Sequence, residues 1–361
     1  MEEKAINVVL VGCGAVSQSL HVPALKSMAA RCHVEVFALV DPLASERAKI
    51  QEEFPAAKGF SQLDECPIDS NNLVVIATPP KLHSAQAIYS LKRGASVLCE
   101  KPMANSTVEC QSMIQAANES GSILAVGLVR RFFPVAEALK ELIEKKTFGK
   151  LVKFDVAEGG KLGWGAVSDS LFRPGVTGGG VLFDMGTHVI DFLLSVIGEP
   201  SEFSYMDDSM GGVEANCSIE MIYRGGMRGN VRLSWDSLTA NRHVYKFENA
   251  TVIYNTGWPN HLTYHFDGIP FAFDSEISCI DPSDNWVTKP VAGRTISQSF
   301  TEQLENVVDA MRGSSVVRVS GDEGMRSIKF IEACYSRRQP MKMDWLEPSR
   351  SSGFSQQTTS A

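Results

Sequence analysis

The chain lacks a basic excess and has no long apolar run. Its 34 lysines and arginines are outnumbered by 42 aspartates and glutamates, which gives a net charge of -8. Because binding to nucleic-acid phosphates needs a concentrated basic face, no nucleic-acid partner is expected. No stretch approaches the roughly 18 apolar residues that span a bilayer, so no membrane partner is expected. Three isolated basic pairs indicate solvated surface or local ion pairs: Arg130-Arg131, Lys145-Lys146 and Arg337-Arg338.

The eight cysteines are scattered and form no Cys-x-x-Cys pair. The opening residues, MEEKAINVVL, carry acids and lead straight into an apolar run, which is unlike a secretory signal. We therefore expect reduced thiols and a cytoplasmic location. His261, His265 and Cys279 lack a second ligand pair at zinc spacing, and no metal site is predicted.

Residues 1–127 alternate between short apolar runs and helical patterns. Continuous apolar runs are typical of parallel strands that are buried on both faces. The predicted strands lie at residues 6–11, 34–40, 73–77, 96–99 and 123–126. This alternation predicts an α/β fold that begins with a doubly wound parallel sheet, a Rossmann domain.

From about residue 128 the pattern changes to stretches of period two. Leu151–Val156 and Met227–Ser234 are examples, and turn signals separate them. We expect residues 128–346 to form an α+β domain with a large, mostly antiparallel open sheet. Its helices include one at 186–197 and two near the end, at 299–311 and 322–336, which pack on the sheet or on the first domain. Residues 347–361 are rich in serine and glutamine and are predicted to be a disordered tail.

The first predicted strand ends in VGCGAVS, which places glycines at a strand-to-helix turn. Gly12 permits the tight turn, Gly14 lets the backbone approach a pyrophosphate, and Ser17 is small enough for the third position. Ala15 and Val16 open the helix, whose free N–H groups and partial positive charge suit phosphates. An ordinary turn is the alternative, but the strand before and the helix after favour dinucleotide binding.

Asp41 ends the second predicted strand. A carboxylate at this place can accept both ribose hydroxyls of NAD and repels the 2′-phosphate of NADP. Arg47 lies one helical turn further on. NAD is therefore favoured over NADP, with a simple Asp-Pro turn as the alternative interpretation.

Two further motifs carry candidate chemistry. One is Glu100-Lys101-Pro102 after a predicted strand, and the other is Asp184-x-Gly186-x-His188, which follows a run of three glycines. Together with GCGAV, VDP, ATPP before His83, and RRFFP, these motifs resemble the glucose-fructose oxidoreductase, inositol dehydrogenase and rhizopine-catabolism family (Gfo/Idh/MocA). The resemblance covers residues 5 to about 235 and, more weakly, the remainder.

The resemblance implies a Rossmann domain joined to an α/β domain whose open sheet often serves for oligomerisation, and hence a homodimer or homotetramer. It also implies hydride transfer between nicotinamide and a carbinol carbon of a sugar or cyclic polyol. Lys101, Asp184 and His188 match the catalytic lysine, acid and histidine. The positions that match residues lining the cofactor are Thr78, Pro79, His83, Glu100 and Arg131. Ser17 departs from the usual third glycine or alanine.

The chemistry of these residue types is consistent with that role. Hydride leaves a C–H bond only as the adjacent hydroxyl loses its proton, so a base must touch that oxygen. His188 has a suitable ordinary pKa, and Lys101 supplies a cation to the developing alkoxide. Asp184 lies four residues before His188 and shares its helix face, where it can fix the imidazole or hold a neighbouring hydroxyl. Taken singly, each residue has a plain structural alternative: a surface lysine, a core histidine and a helix cap.

The sequence thus predicts an NAD(P)-dependent dehydrogenase or ketoreductase that acts on a sugar, nucleotide-sugar or cyclic polyol. Trp164 is a candidate to stack on a sugar face, and Arg173 is a candidate substrate contact. Dihydrodiols or biliverdin-like carbonyl compounds are alternative substrates. Two alternatives from other classes remain open: an NAD-dependent glycosidase that uses transient oxidation, and a non-catalytic, cofactor-sensing regulator on the same fold.

Overall fold

Six strands form a parallel sheet in the first half of the chain. The computed structural model describes residues 5–29, 31, 34–161, 177–281, 284–290 and 295–341. The strands are β1 (Ile6–Val11), β2 (Val34–Val40), β3 (Lys58–Phe60), β4 (Asn72–Ile76), β5 (Ser96–Glu100) and β6 (Leu124–Gly127). Their order, β3-β2-β1-β4-β5-β6, confirms the predicted Rossmann sheet. All the strands are parallel, and the chain switches between β1 and β4 from adding strands on one side of β1 to adding them on the other.

Helices connect these strands. A π-helical turn at Ser17–His21 leads into α1 (Val22–Ala29), and the others are α2 (Ala44–Gln51), α3 (Pro80–Leu91) and α4 (Thr107–Ser120). Ser106 caps the start of α4, where its side chain accepts a hydrogen bond from the backbone N–H of Glu109. The helix stops at Gly121, whose φ of +67° is a conformation that glycine adopts without strain.

A nine-stranded sheet forms in the second half of the chain. Its strands are β7 (Leu151–Gly159), β8 (Glu202–Asp207), β9 (Asn216–Ile222), β10 (Arg228–Ser234), β11 (Arg242–Phe247), β12 (Ala250–Asn255), β13 (His261–Phe266), β14 (Ala272–Glu276) and β17 (Gln339–Pro340). They lie in the order β14-β13-β12-β11-β7-β10-β9-β8-β17. Among these described strands only β7 with β10, and β8 with β17, pair in parallel, so the prediction of a mostly antiparallel sheet is confirmed. A separate hairpin joins β15 (Ser278–Asp281) to β16 (Asp284–Pro290).

Alternation along β10 divides this sheet into a covered and an open face. Val231 and Leu233 are buried, whereas Arg228, Asn230 and Arg232 are exposed. The remaining helices are α5 (Pro134–Glu144), α6 (Val181–Val196), α7 (Ile296–Met311) and α8 (Gly321–Ser336). Most of the side chains of α6 are buried, as expected for a helix packed between a sheet and other helices.

The last two long helices pack against helices that flank the parallel sheet. Helix α7 packs against α1, and α8 packs against α4 and α6. A Cβ on Gly324 would lie 2.5 Å from Val126 of β6, so α8 approaches this strand closely only because residue 324 is glycine. The division of the chain at residue 127 into separate domains stays a prediction, and residues 347–361 lie outside the described residues.

No helix in the described part of the chain combines the length and the apolar character needed to cross a membrane.

Candidate active site

The glycine turn after β1 has the shape that the sequence predicts. Gly12 has a φ of +91°, and a Cβ there would lie 2.6 Å from the carbonyl oxygen of Ala77. A Cβ on Gly14 would meet no atom within 4 Å, so this backbone faces open space. The hydroxyl of the buried Ser17 donates a hydrogen bond to the carbonyl oxygen of Gly12, which closes the turn. Because the first amides of a helix have no intrahelical acceptor, those of Ala15 and Val16 are available to phosphate oxygens.

Asp41 is held beside this turn by backbone donors. Its Oδ2 accepts from the N–H of Cys13 at 2.9 Å, and its Oδ1 accepts from the N–H of Leu43 at 2.8 Å. The guanidinium of Arg47 donates to the backbone carbonyl of Asp41. The carboxylate therefore stands at the end of β2 in a fixed orientation, which fits the ribose-binding place of a dinucleotide.

His83 links the end of β4 to the loop after β5. Its Nε2 lies 2.7 Å from the carbonyl oxygen of Thr78, and its Nδ1 lies 2.8 Å from that of Pro102. Burial lowers the pKa of His83, and the two carbonyl oxygens oppose that shift. The side chain joins the two loops that flank the predicted cofactor site: Thr78 and Pro79 stand on one, and Lys101 stands on the other.

Glu100 is packed at the end of β5 against β6 and the first helix. Its Oε1 lies 2.9 Å from Nε2 of the fully buried His21, and its Oε2 accepts from the backbone N–H of Lys101 at 3.1 Å. A Cβ on Gly127 would lie 2.9 Å from the Glu100 carboxyl carbon, so the close approach requires glycine. The pair ties the π-helical turn to the strand that carries Lys101, and the sequence reasoning missed His21.

Lys101 and Asp184 meet across the two halves of the chain. The Nζ of Lys101 donates to Oδ1 of Asp184 at 2.9 Å and to its backbone carbonyl at 3.2 Å. Lys101 follows β5, and Asp184 lies in the first turn of α6. Both side chains keep some exposure, 20% and 35%, so the pair is open to a ligand. The structure thus brings together two of the three predicted catalytic residues in direct contact.

His188 lies one turn after Asp184 on α6. Its Nδ1 is buried and has no hydrogen-bond partner in the described part of the chain. Burial, together with the charges of Lys101 and Arg130, holds the pKa of His188 well below its usual value. The imidazole is therefore neutral near pH 7 and can accept a proton.

A buried ionic cluster that the sequence reasoning missed stands near His188. Arg130 makes two hydrogen bonds to Glu158, at 2.6 and 2.8 Å, and Glu158 Oε1 lies 2.7 Å from Nε2 of His243. The Tyr245 hydroxyl lies 3.0 Å from Nδ1 of His243. Arg130 holds the pKa of Glu158 far below its usual value despite burial, so the carboxylate stays charged. The available signal was the period-two spacing of Phe154 and Val156 on β7, because its continuation places Glu158 on the same buried face.

Arg131, which the resemblance places beside the cofactor, forms ion pairs with two carboxylates. Its guanidinium donates to both carboxylate oxygens of Asp191, at 2.7 and 2.8 Å, and to Glu323 at 3.0 Å. These contacts join α6 to α8. The pair Arg130-Arg131 thus forms ion pairs with little exposure, and the alternative of a solvated surface is wrong for it.

The start of α6 is fixed by Glu214, another residue that the sequence reasoning missed. Its Oε1 accepts from the N–H groups of Gly180 (3.0 Å) and Leu182 (3.1 Å) and from the Tyr335 hydroxyl (2.7 Å). A Cβ on Gly180 would lie 2.0 Å from the carbonyl oxygen of Glu214. The helix therefore begins five residues earlier than predicted, at Val181, and the glycine run was the signal for this close packing.

Asn241 and Cys13 have structural surroundings, and the two candidate substrate residues of the sequence cannot be described. The side chain of Asn241 bonds to both the N–H (2.8 Å) and the carbonyl (2.9 Å) of Gly159. Burial raises the pKa of the Cys13 thiol to about 12, which disfavours a thiolate. Trp164 and Arg173 lie outside the described residues. Within the described part of the chain, no group of three or more His, Cys, Asp or Glu side chains could hold a metal ion.

Family models match most of the chain. A model described as an oxidoreductase family with an NAD-binding Rossmann fold matches residues 6–128, and the GFO/IDH/MocA C-terminal domain matches residues 136–257. The glycine turn and the fixed Asp41 fit the dinucleotide that the first description names.

Curated relatives agree with this assignment. The chain is 32% identical over 203 residues to an uncharacterised oxidoreductase of Schizosaccharomyces pombe, covering 54% of this chain and 52% of that protein. It is 30% identical to trans-1,2-dihydrobenzene-1,2-diol dehydrogenase of Mus musculus, with 53% and 57% covered. These matches span about half the length of the relatives. A match of 26% identity to scyllo-inositol 2-dehydrogenase (NADP(+)) IolW of Bacillus subtilis covers 95% of this chain and 96% of that one.

Solved structures share the fold at low sequence identity. Levoglucosan dehydrogenase in complex with NADH and levoglucosan superposes with a TM-score of 0.79 at 20% identity, covering 92% of this chain and 97% of that one. The WlbA dehydrogenase from Bordetella pertussis in complex with NADH and UDP-GlcNAcA gives a TM-score of 0.76 at 21% identity, with 93% and 96% covered. With both of its domain models matched, the chain belongs to the Gfo/Idh/MocA oxidoreductase family.

Proposed function

We propose that this protein is an NAD(P)-dependent dehydrogenase or ketoreductase that acts on a carbinol or carbonyl carbon of a sugar, nucleotide-sugar or cyclic polyol. The observation that carries the proposal is the 2.9 Å contact of Lys101 with Asp184, one helical turn from a neutral His188. Relatives named as glucoside and inositol dehydrogenases support this substrate class, whereas the relative named as a dihydrodiol dehydrogenase supports the alternative of a dihydrodiol. A bound nicotinamide supplies the hydride acceptor or donor.

The three side chains have complementary roles in this proposal. Lys101 holds the substrate oxygen and stabilises its developing negative charge through a short charged contact. His188 takes the proton from that oxygen in the oxidation direction and returns it in the reverse direction. Asp184 accepts a hydrogen bond from Lys101 and keeps its ammonium group pointed at the site, so Asp184 is a positioning residue.

The cofactor would be held by the elements around the glycine turn. Gly12, Gly14, Ala15 and Val16 offer the phosphate-binding backbone, and Asp41 offers its carboxylate to ribose hydroxyls. Because Asp41 is held next to the turn as a carboxylate acceptor, we propose NAD as the preferred cofactor. Thr78 and Pro79, at the end of β4, and Glu100, at the end of β5, complete this side of the site.

Oligomerisation and location belong to the same proposal. The exposed face of β10, with Arg228, Asn230 and Arg232, carries no helix among the described elements, and a homodimer or homotetramer could form there. Light scattering on the purified protein decides its mass. A cytoplasmic location stays a prediction.

The first test is a tryptophan-fluorescence titration with NADH and NADPH, after any cofactor that co-purifies has been identified. A screen of sugars and cyclitols then follows NADH formation at the nicotinamide absorbance. Micromolar NADH binding and turnover of at least one carbinol substrate are expected. Binding of neither cofactor contradicts the proposal. Glycoside cleavage without net NADH formation favours the glycosidase alternative instead.

A further inference from the structure

A cavity of 490 Å³ lies between the loop that joins β12 to β13 and the first turn of α7. Residues 257–261 form one wall, and residues 295–297 form the other. Its volume falls within the range of small-molecule pockets. None of its residues was a candidate for ligand binding on sequence grounds, except that His261 was considered and set aside as a metal ligand.

Trp258 is the largest side chain in this cavity and is 59% exposed. Its ring packs edge-on against His261 with ring centroids 5.3 Å apart. The backbone N–H of His261 also donates to the carbonyl of Trp258 at 3.2 Å, which closes the loop. An exposed indole in a concave surface is a suitable platform for the apolar face of a ring.

The charge of the lining selects among ring-bearing ligands. Residues 257–261 and 295–297 include no aspartate, glutamate, lysine or arginine, and His261 is their one titratable side chain. The Asn260 amide is engaged by Glu276 at 2.8 Å and by His261 at 2.9 Å. Because the described lining residues offer a phosphate or carboxylate no cationic partner of fixed charge, they favour a neutral ring.

Hydrogen bonds connect this loop to the neighbourhood of the candidate active site. The N–H and the hydroxyl of Thr256 both donate to the carbonyl of Asn241 at 2.9 Å. The amide of Asn241 in turn bonds to Gly159, the residue after the buried Glu158. On the other side, the N–H of Val135 donates to the carbonyl of Pro259 at 3.0 Å, at the start of α5. The cavity thus lies at the end of the sheet that carries the Arg130–Glu158 pair.

We infer that this cavity binds a second, neutral sugar ring of a glycoside substrate, with Trp258 stacked on its apolar face. The inference rests on the proposed function, which places the reacting ring at Lys101 and His188. It adds a specificity site for the part of the substrate that does not react. The preferred substrates would then be uncharged glycosides of at least two rings, rather than sugar phosphates or nucleotide-sugars.

The test separates ring binding from turnover. Calorimetric titrations with methyl β-D-glucoside, cellobiose, maltose and gentiobiose are made on the Lys101→Ala protein in the presence of NAD, so that turnover during the titration is slowed. The same titrations are made after adding Trp258→Ala or Trp258→Phe. Phe271→Ala is the matched control, because Phe271 is an exposed aromatic next to β14 that does not line the cavity.

At least one disaccharide is expected to bind about tenfold more tightly than the methyl glucoside. Trp258→Ala should remove that difference, Trp258→Phe should keep most of it, and Phe271→Ala should leave it unchanged. Equal binding of one-ring and two-ring sugars, or a difference that persists in Trp258→Ala, overturns the inference. If Trp258-dependent binding is found while the wild-type protein oxidises none of the sugars, the cavity stands and the proposed function fails. If sugars are oxidised and Trp258→Ala does not change their binding, the proposed function stands and the inference about the cavity fails.

Discussion

The ammonium nitrogen of Lys101 lies 2.9 Å from Oδ1 of Asp184, although the two residues are 83 positions apart in the sequence. One follows the last-but-one strand of the parallel sheet, and the other opens a helix that packs on the second sheet. The contact therefore exists only when the two halves of the chain are assembled, and a site there would be completed by both.

Replacing Lys101 with alanine should lower kcat about 100-fold or more, because the cation that meets the developing alkoxide is removed. NADH affinity should stay nearly unchanged, since the glycine turn and Asp41 are untouched. Steady-state kinetics and a fluorescence titration measure the two quantities. Lys145→Ala is the control, because that lysine is 73% exposed directly after α5. Turnover of Lys101→Ala at the control's level would sink the proposed mechanism.

The pH profile of oxidation should reflect the depressed pKa of His188. Since burial and two neighbouring cations lower this pKa, the base stays neutral below the ordinary histidine range. The rate should therefore be flat from pH 8 to below about 6.5 and fall only in more acidic solution. A fall centred at or above pH 6.5 in wild type would contradict the assignment. In His188→Asn the general-base limb should vanish, with kcat reduced about 100-fold.

The same shift has a consequence for stability. The unfolded chain binds a proton on His188 below about pH 6.5, whereas the folded chain does not. The free energy of unfolding should therefore fall as the pH is lowered through that window, and His188→Asn should flatten this part of the curve. Urea unfolding at pH 7.5 and pH 5.5 measures both slopes.

Asp41→Ala should weaken NADH binding by about 10- to 100-fold, the range expected for losing hydrogen bonds to a charged group. NADPH binding should improve or stay constant, because the repulsion of a 2′-phosphate disappears. Parallel titrations with both cofactors give the ratio. Asp64→Ala serves as the control, since this residue lies on the exposed 3₁₀ turn after β3. A variant with the wild-type ratio would show that Asp41 only shapes the Asp-Pro turn.

Removing Glu158 should destabilise the fold by about 3–5 kcal/mol, because Arg130 would be left buried without its counter-charge. Arg130 and Glu158 have side-chain exposures of only 15% and 5%. Glu141→Ala is the matched control: its pair with Lys145 is exposed on both sides, so its loss should change stability far less. Thermal and urea unfolding of Glu158→Ala and Glu141→Ala compare the two pairs. Similar losses in both variants would contradict a structural role for the buried cluster.

Much of the fold follows from local patterns in the sequence. The runs Ile6–Val11 and Val34–Val40 are parallel strands with the predicted bounds, and most of their residues are buried, since a strand covered on both faces is mostly apolar. The strands β3 and β14 were not predicted. Strand β3 has only three residues, and β14 is exposed along its whole length, so neither carries an apolar alternation.

The sequence by itself determined the doubly wound parallel sheet of the Rossmann domain, the glycine turn at Gly12 and the identity of the residues proposed for chemistry. These depend on local periodicity, on backbone conformations that glycine adopts and on motif spacing. Only the tertiary structure decided that Lys101 contacts Asp184, that Arg131 pairs with Asp191 and Glu323, and that Glu214 moves the start of α6 to Val181. Such contacts join residues tens of positions or more apart, and no local pattern encodes which buried charges will meet when helices and sheets pack.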